Sequence, residues 1–206
     1  MIRYLSNPFG YLMAFAMLLT ACASTQLNAV WKDQAYQVRP AKIMVIGVAK
    51  NPLNRRLFED EFVSQLKARG TEAIASYTVL PDRQQNDHEA IAAKVKELGA
   101  DTILITRLVS KKIVQTYVPG TRYFPPPYYG SWPNYYGYGY RYMYTPGYIA
   151  EDEYAVMETN LYEAKDDKLV WAALSETGIM DSEPGLIQGY IGVMVKNMIG
   201  LGLLGK

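Results

Sequence analysis

Lys42-Ile43-Met44-Val45-Ile46-Gly47-Val48 is followed two residues later by Asn51-Pro52, and then by Leu53, Leu57, Phe58, Phe62, Val63 and Leu66 at helical spacing. The first run is short, apolar and rich in β-branched residues, as a strand buried on both faces requires. Asn51 can accept from the first free amides of a helix, and proline is tolerated at the first helical position. Gly70 supplies the stop. This strand-to-helix unit frames the segments downstream of it. Glu72 to Val79 (EAIASYTV) is expected as a second strand, ended by Pro81. Asp87 can cap a second helix with the inward stripe Ile91, Val95 and Leu98, closed by Gly99. Asp101 to Val118 begins as a buried strand (TILITRLV) and continues in a more polar alternation. A β-α-β-α-β order implies right-handed crossovers and neighbouring parallel strands.

The second half changes character. From Glu153 to Tyr162 residues alternate, Lys165-Asp166-Asp167-Lys168 makes a polar turn, and Leu169 to Ser175 returns as a strand, which predicts a hairpin. Pro184 to Ile199 is expected to be a helix packed on the sheet through Leu186, Ile187, Tyr190, Ile191, Met194, Val195, Met198 and Ile199. Lys196-Asn197 interrupts its apolar run, so it does not read as a membrane span. The predicted fold class is α/β: one β-α-β-α-β unit, a β-hairpin and a C-terminal helix on a mixed sheet, with a long Tyr/Pro/Gly-rich insert.

Composition narrows the chemistry. In 206 residues, 21 Lys+Arg face 20 Asp+Glu, with one His and one Cys. No basic surplus exists to neutralise a nucleic-acid backbone. One His and one Cys exclude a His/Cys zinc site and an internal disulfide within the chain, and most Cys–His catalysis. The residues point to no catalytic group, metal or cofactor. His88 reads as a solvated helix-start residue, and Gly47 is a lone glycine rather than part of a phosphate-cradling loop. The turn Ala49-Lys50-Asn51 could offer helix amides to an anion, as any α/β turn can. Arg55 and Glu59, and Arg56 and Asp60, are four apart on a helix and read as surface ion pairs.

The insert, residues 113–150, holds 11 of the 18 Tyr, six of the 11 Pro and five Gly, with Arg122 and Arg141 as its only charges. Pro125-Pro126-Pro127 favours an extended conformation. From Tyr136 to Tyr144 (YGYGYRYMY) tyrosine alternates strictly; in an extended backbone Tyr136, Tyr138, Tyr140, Tyr142 and Tyr144 would share one face over about 27 Å. Phenols combine a large apolar ring with a hydroxyl that needs a partner, so they suit half-wet surfaces. These five residues, with Trp132, Arg122 and Arg141, are the candidate binding set. The readings left open are a low-complexity excursion that covers a sheet edge or stays disordered, a protein partner, cell-wall glycan or lipid headgroups. The lack of Lys argues against a polyanion. Glu151, Asp152 and Glu153, just after the insert's aromatic stretch, could neutralise Arg122 or Arg141.

The amino terminus carries Arg3, the apolar stretch Tyr11 to Leu19 (YLMAFAMLL), and Leu19-Thr20-Ala21-Cys22. The apolar stretch is too short to span a bilayer as a helix. The LTAC string resembles the lipobox of bacterial lipoproteins, which implies that Cys22 becomes the first mature residue and carries a thioether-linked diacylglycerol and an acylated amine. The implied domain organisation is a signal peptide over 1–21, the lipidated Cys22 and a tether over 22–40 with Trp31 and Tyr36 as packing points, and a periplasmic domain over 41–206. Ala23 rather than Asp after the Cys resembles lipoproteins sorted to the outer membrane, facing the periplasm.

Trp31-Lys32-Asp33, Arg55-Arg56-x-Phe58-Glu59-Asp60, Ser76-Tyr77, Glu158-Thr159-Asn160-Leu161-Tyr162 and Leu169-Val170-Trp171, with the Tyr/Gly-rich loop, together resemble a group of bacterial outer-membrane lipoproteins of unassigned activity. More loosely, the element order is similar to the small α/β domains of the TolB amino terminus, CsgG and penicillin-binding-protein activator lipoproteins. That resemblance implies a non-enzymatic, lipid-anchored binding or assembly module of the envelope, with the membrane and an envelope protein or peptidoglycan as partners and no nucleic acid. A cell-wall glycan-binding lipoprotein and a hydrolase-type enzyme are the alternatives.

Overall fold

A computed structural model describes residues 25–121, 131–141, 143–179 and 183–205. In chain order its elements are β1 (Thr25–Lys32), β2 (Lys42–Val48), α1 (Pro52–Lys67), β3 (Glu72–Ala75), α2 (His88–Leu98), β4 (Thr102–Val118), α3 (Trp132–Arg141), β5 (Tyr148–Glu163), β6 (Leu169–Gly178) and α4 (Glu183–Gly200). They build the expected mixed α/β arrangement around one six-stranded sheet in the order β1-β6-β5-β4-β2-β3. β2 lies between β3 and β4 and is parallel to both, while β4, β5, β6 and β1 pair antiparallel. Among the described residues no helix is long and apolar enough to cross a membrane.

The local signals act as their chemistry requires. The Asn51 side chain accepts from the Leu53 amide at 2.9 Å and starts α1. Asp87 accepts from the Ala90 amide at 3.0 Å and starts α2, which Gly99 ends at a φ of 63°. α1 and α4 cover one face of the sheet, where Ile43, Val45, Leu104, Leu161 and Trp171 meet Phe58, Phe62, Leu66, Ile191, Met194 and Met198. α2 covers part of the other face, closing a smaller cluster around Met44, Ile46 and Val95.

Three expectations are corrected. Residues 25–32, assigned to the tether, form edge strand β1, whose Trp31 is half-exposed while Tyr36, after the strand, packs against the main core. Trp31-Lys32 pairs with Trp171-Ala172 across the antiparallel ladder, a long-range contact that local sequence does not announce. The second strand stops at Ala75 instead of Val79, because Ser76–Thr78 turns as a 3₁₀ segment and the Tyr77 amide is drawn to the Glu59 carboxylate at 2.9 Å. Arg55 and Glu59 do not lie on the surface; they are 1% and 0% exposed.

Near the end of the main core the sheet carries a buried hydroxyl layer. Thr106 and Thr159 share a hydrogen bond of 2.7 Å, Thr159 also bonds the Tyr190 hydroxyl from α4, and Thr25 and Thr177 pair at 2.9 Å. Burial pushes the Tyr190 phenol up from 10.0 to about 12, against the opposing pull of its hydroxyl partners. Between those values the native chain keeps a proton that the unfolded chain has lost, so this contribution is intact below pH 10 and drains as the pH rises to about 12. Urea midpoints measured from pH 9 upward are therefore expected to fall more steeply for the native sequence than for Tyr190→Phe; identical slopes would remove Tyr190 as the cause.

Candidate functional site

β4 and β5 continue beyond their neighbours in the sheet. β2 ends opposite Arg107, and β6 ends opposite Tyr154, yet β4 and β5 stay paired from Ile113↔Glu153 to Val118↔Tyr148. These six paired positions form a two-stranded ribbon standing clear of the sheet. A register shift between Leu108 and Ser110 marks the region where β4 has left β2. Ile113, Tyr117, Tyr148 and Ile149 are exposed on the ribbon, Tyr117 to 68%.

Charge is graded along the ribbon. Near the sheet, Arg107 pairs with Glu158 at 2.6 Å, Lys111 with Glu153 at 2.8 Å and Lys112 with Glu176 at 3.3 Å. Gln115 donates to Glu151 at 2.7 Å. Glu151 and Glu153 therefore engage β4 across the ladder instead of Arg141 in the insert. The outermost positions, Thr116–Val118 and Tyr148–Ala150, carry no charged side chain.

At the tip the two strands are clasped. Thr121 donates its amide to the Thr145 carbonyl at 3.0 Å, its hydroxyl accepts from the Thr145 amide at 3.0 Å, and the same hydroxyl donates to the Met143 carbonyl at 3.1 Å. Gly120 permits this approach, since a Cβ there would meet the Gly147 nitrogen at 2.6 Å and the Pro146 carbonyl carbon at 2.9 Å.

The chain between these threonines contains α3, and here the extended reading is corrected. Trp132–Arg141 is helical, so alternate tyrosines no longer share a face. A lone extended segment would leave its amides and carbonyls without a neighbouring strand, whereas a helix pairs its own. Tyr136 and Tyr140, one turn apart, bring their rings to 5.8 Å; Tyr138 falls on another side and is half-buried. Trp132 opens the helix and Tyr144 follows it, each 80% exposed, and Arg141 at its end is exposed as well. No side chain of α3 is buried. Tyr142, Arg122 and Cys22 lie outside the described residues.

The other candidates resolve differently. Glu59 accepts from the Gly47 amide at 2.9 Å, Arg55 Nε at 2.9 Å and Ser76 Oγ at 2.8 Å through one oxygen, and from the Tyr77 amide through the other. Arg55 also donates to Ser76 Oγ at 2.7 Å and to Asp82 at 3.0 Å. Arg56 turns to Asp82 at 3.8 Å, and Asp60 accepts from the Tyr77 hydroxyl at 2.7 Å. This is a closed structural network whose members satisfy one another. His88 is exposed at the start of α2, as expected. Sequence reasoning missed the open groove beside α2, floored by Ile46, Val48, Ile103 and Ile105 and edged by Tyr162 and His88. The alternation in β4 shows that one face is apolar, but not that α2 covers only part of it. Among the described residues, no three His, Cys, Asp or Glu side chains are placed to hold a metal ion.

No protein-family model matches the chain, and no curated protein matches its sequence. Among solved structures, its outline is similar to the PelC dodecamer from Paraburkholderia phytofirmans, with 10% identity, TM-score 0.48, and coverage of 86% of this chain and 98% of that one. It is also similar to the lipoprotein GNA1162 from Neisseria meningitidis, with 14% identity, TM-score 0.42, and coverage of 78% of this chain and 99% of that one. Likeness at this level concerns outline and carries no functional argument.

Removing one member of the buried ion pair strands the other charge. Glu59→Leu is expected to cost about 3–5 kcal/mol in chemical denaturation. The double substitution Arg55→Met with Glu59→Leu is expected to recover part of that loss, the Gly47 and Tyr77 amides remaining without their acceptor. A double variant no more stable than Glu59→Leu alone would show that the stranded arginine is not the source of the cost.

Proposed function

We propose that this chain is a non-enzymatic binding or assembly module of the bacterial envelope, lipid-anchored at Cys22 on the periplasmic side of the outer membrane, and that the ribbon tip is its contact surface. The observation that carries the reading is the mismatch between core and ribbon. The sheet has closed its core where β2 and β6 end, yet β4 and β5 run on with Tyr117 and Ile149 exposed, and the chain that joins them exposes Trp132, Tyr136, Tyr140 and Tyr144. A two-stranded ribbon is marginal by itself in water, and a ten-residue helix containing Gly137 and Gly139 has little intrinsic stability. An exposed aromatic group of this kind, rimmed by polar residues, is the usual mark of a contact site. The lipobox supports the anchor and the compartment.

The test uses the full chain in cells, with a photoreactive amino acid at position 117. Trp132, Tyr136, Tyr140 and Tyr144 are changed together to Ser. Because none is buried, stability is expected to change little, within the range of ordinary surface substitutions (about 0.5 kcal/mol each). Crosslinking from position 117 to envelope material is expected to fall at least tenfold. Undiminished crosslinking would reject the tip as the contact surface. Separately, Cys22→Ser is expected to release the chain from the membrane fraction; retention there would reject the anchor.

A further inference from the structure

We infer that the surface met by the ribbon tip is the phospholipid of the same bilayer that holds Cys22, so that the aromatic tip is a second, non-covalent foot beside the lipid anchor. This rests on the reading of Cys22 as the anchor and of the tip as the contact surface, and names what is contacted.

Strand register fixes the distances involved. Thr25 pairs with Thr177, Thr177 with Ala155, and Ala155 with Lys111, which places these four residues on one line across the sheet. β1 and β5 run in the same direction, each antiparallel to β6. Both therefore enter the sheet from the same end. From the Thr25 line the ribbon runs outward for seven residues to Val118 and Tyr148, a distance of about 23 Å at ~3.3 Å per residue. Only three peptide units separate Thr25 from Cys22, and they reach at most about 11 Å.

A lipidated Cys22 thus holds the Thr25 end of the sheet closer to the bilayer than the ribbon is long. With the ribbon pointing away from the membrane, the body of the sheet would lie between Thr25 and the lipid, which three residues cannot bridge. Three kinds of pose remain: tip inclined towards the lipid, β1 edge towards it, or a face of the sheet laid on it, which would bring exposed Arg56, Asp60 and Lys67 of α1 or Glu89, Lys96 and Glu97 of α2 against the bilayer. Chemistry separates them. The β1 edge would bring Gln26, Asn28 and unpaired backbone groups against the bilayer, with Val30 and Trp31 as its only large exposed apolar side chains. The tip brings Trp132, Tyr136, Tyr140, Tyr144, Tyr148 and Ile149, the residue types favoured at the headgroup level.

The charge gradient fits the same pose. The outermost three pairs of the ribbon are uncharged, and the collar Glu151, Asp152 and Glu153 begins about 10 Å behind Tyr148. Because the ribbon is longer than the three-residue tether, it must incline towards the bilayer plane, and at that inclination the tip meets the headgroup layer while those carboxylates stay on its water side. Arg141 is the only charge on α3, so attraction to anionic lipid is not the driving force and zwitterionic phospholipid suffices.

The experiment reconstitutes the full acylated chain in phosphatidylcholine vesicles, with acylation checked by mass. In the acylated protein the Cys22 sulfur is a thioether, so an introduced Cys is the only thiol available for a fluorophore. Labels are placed singly through Tyr140→Cys on α3, Asn28→Cys on the β1 edge and Lys165→Cys at the opposite end of the sheet; all three positions are exposed. Quenching by lipids carrying a headgroup-depth nitroxide is expected to be about threefold or more stronger at 140 than at 28 or 165, and to change less than about twofold between roughly 0.1 and 0.5 M salt, because salt screens charge attraction and not the burial of aromatic rings. Weak quenching at 140 in an acylated, vesicle-bound chain would overturn the inference while leaving the anchor standing. Strong quenching at 28 instead would select the β1-edge pose and overturn the tip-down one. A blue shift at 140 that depends on protein concentration and not on lipid would assign the tip to a second copy of the chain. A chain that is neither acylated nor vesicle-bound would overturn the anchor reading, and this inference with it.

Discussion

The carboxylate of Glu59 is the point from which much of the α/β half is positioned. It is fully buried and accepts from the Gly47 amide at the end of β2, from Arg55 one turn earlier on α1, and from Ser76 and Tyr77 just after β3. One side chain thus fixes where the central strand ends, how its crossover helix sits, and where the neighbouring strand turns away. A charge in so dry a place is tolerable only because each of its oxygens is engaged and a guanidinium stands beside it. The rest of the core, with Phe58 and Phe62 on the same helix, packs around that fixed frame.

The antiparallel half is governed by a different constraint. β4 and β5 are 17 and 16 residues long, whereas β2 has 7 and β6 has 10. A sheet with strands so unequal has a closed part and an open part. In the closed part, hydroxyls of Thr106, Thr159 and Tyr190 satisfy one another beneath α4, so the polar groups near the edge of the core are not left desolvated without partners. In the open part no other described strand pairs with the ladder, and the side chains grade from paired charges to none.

Much of the frame was legible because its signals are local. Asn51-Pro52, Asp87 and Gly99 act at the helix ends where they were read, and the alternation from Glu153 to Tyr162 is a strand. The failures share a physical form: tertiary context overrode a local pattern. Arg55 and Glu59 have the spacing of a surface pair, and only the arrival of Ser76 and Tyr77 makes them a core pair. The strand predicted to Val79 is cut short by that same meeting. Alternating tyrosines and glycines read as extended because period two is the rule for strands, yet a strand without a neighbour has unmet backbone groups, and the helix of residues 132–141 removes that cost. Trp31 and Lys32 read as tether because an edge strand on an antiparallel neighbour has few residues that must be apolar. At the candidate site, the identity of the aromatic residues was legible, but not that they cap a ribbon or that the ribbon leaves the sheet on the side of β1's first residue.

The clasp of Thr121 on Thr145 has an evolutionary consequence. Because the two ends of the loop are joined by backbone and hydroxyl bonds at a site only glycine at position 120 permits, the residues between them close a ring whose mouth is fixed whatever lies inside. Loop-closure entropy rises only slowly with length, by about 0.6 kcal/mol per doubling. The segment between the two threonines can therefore lengthen, shorten or change its aromatic content by mutation without disturbing the pairing of β4 with β5. The ladder and the segment it closes are thus separable parts of one domain, and change inside the clasp need not reach the sheet.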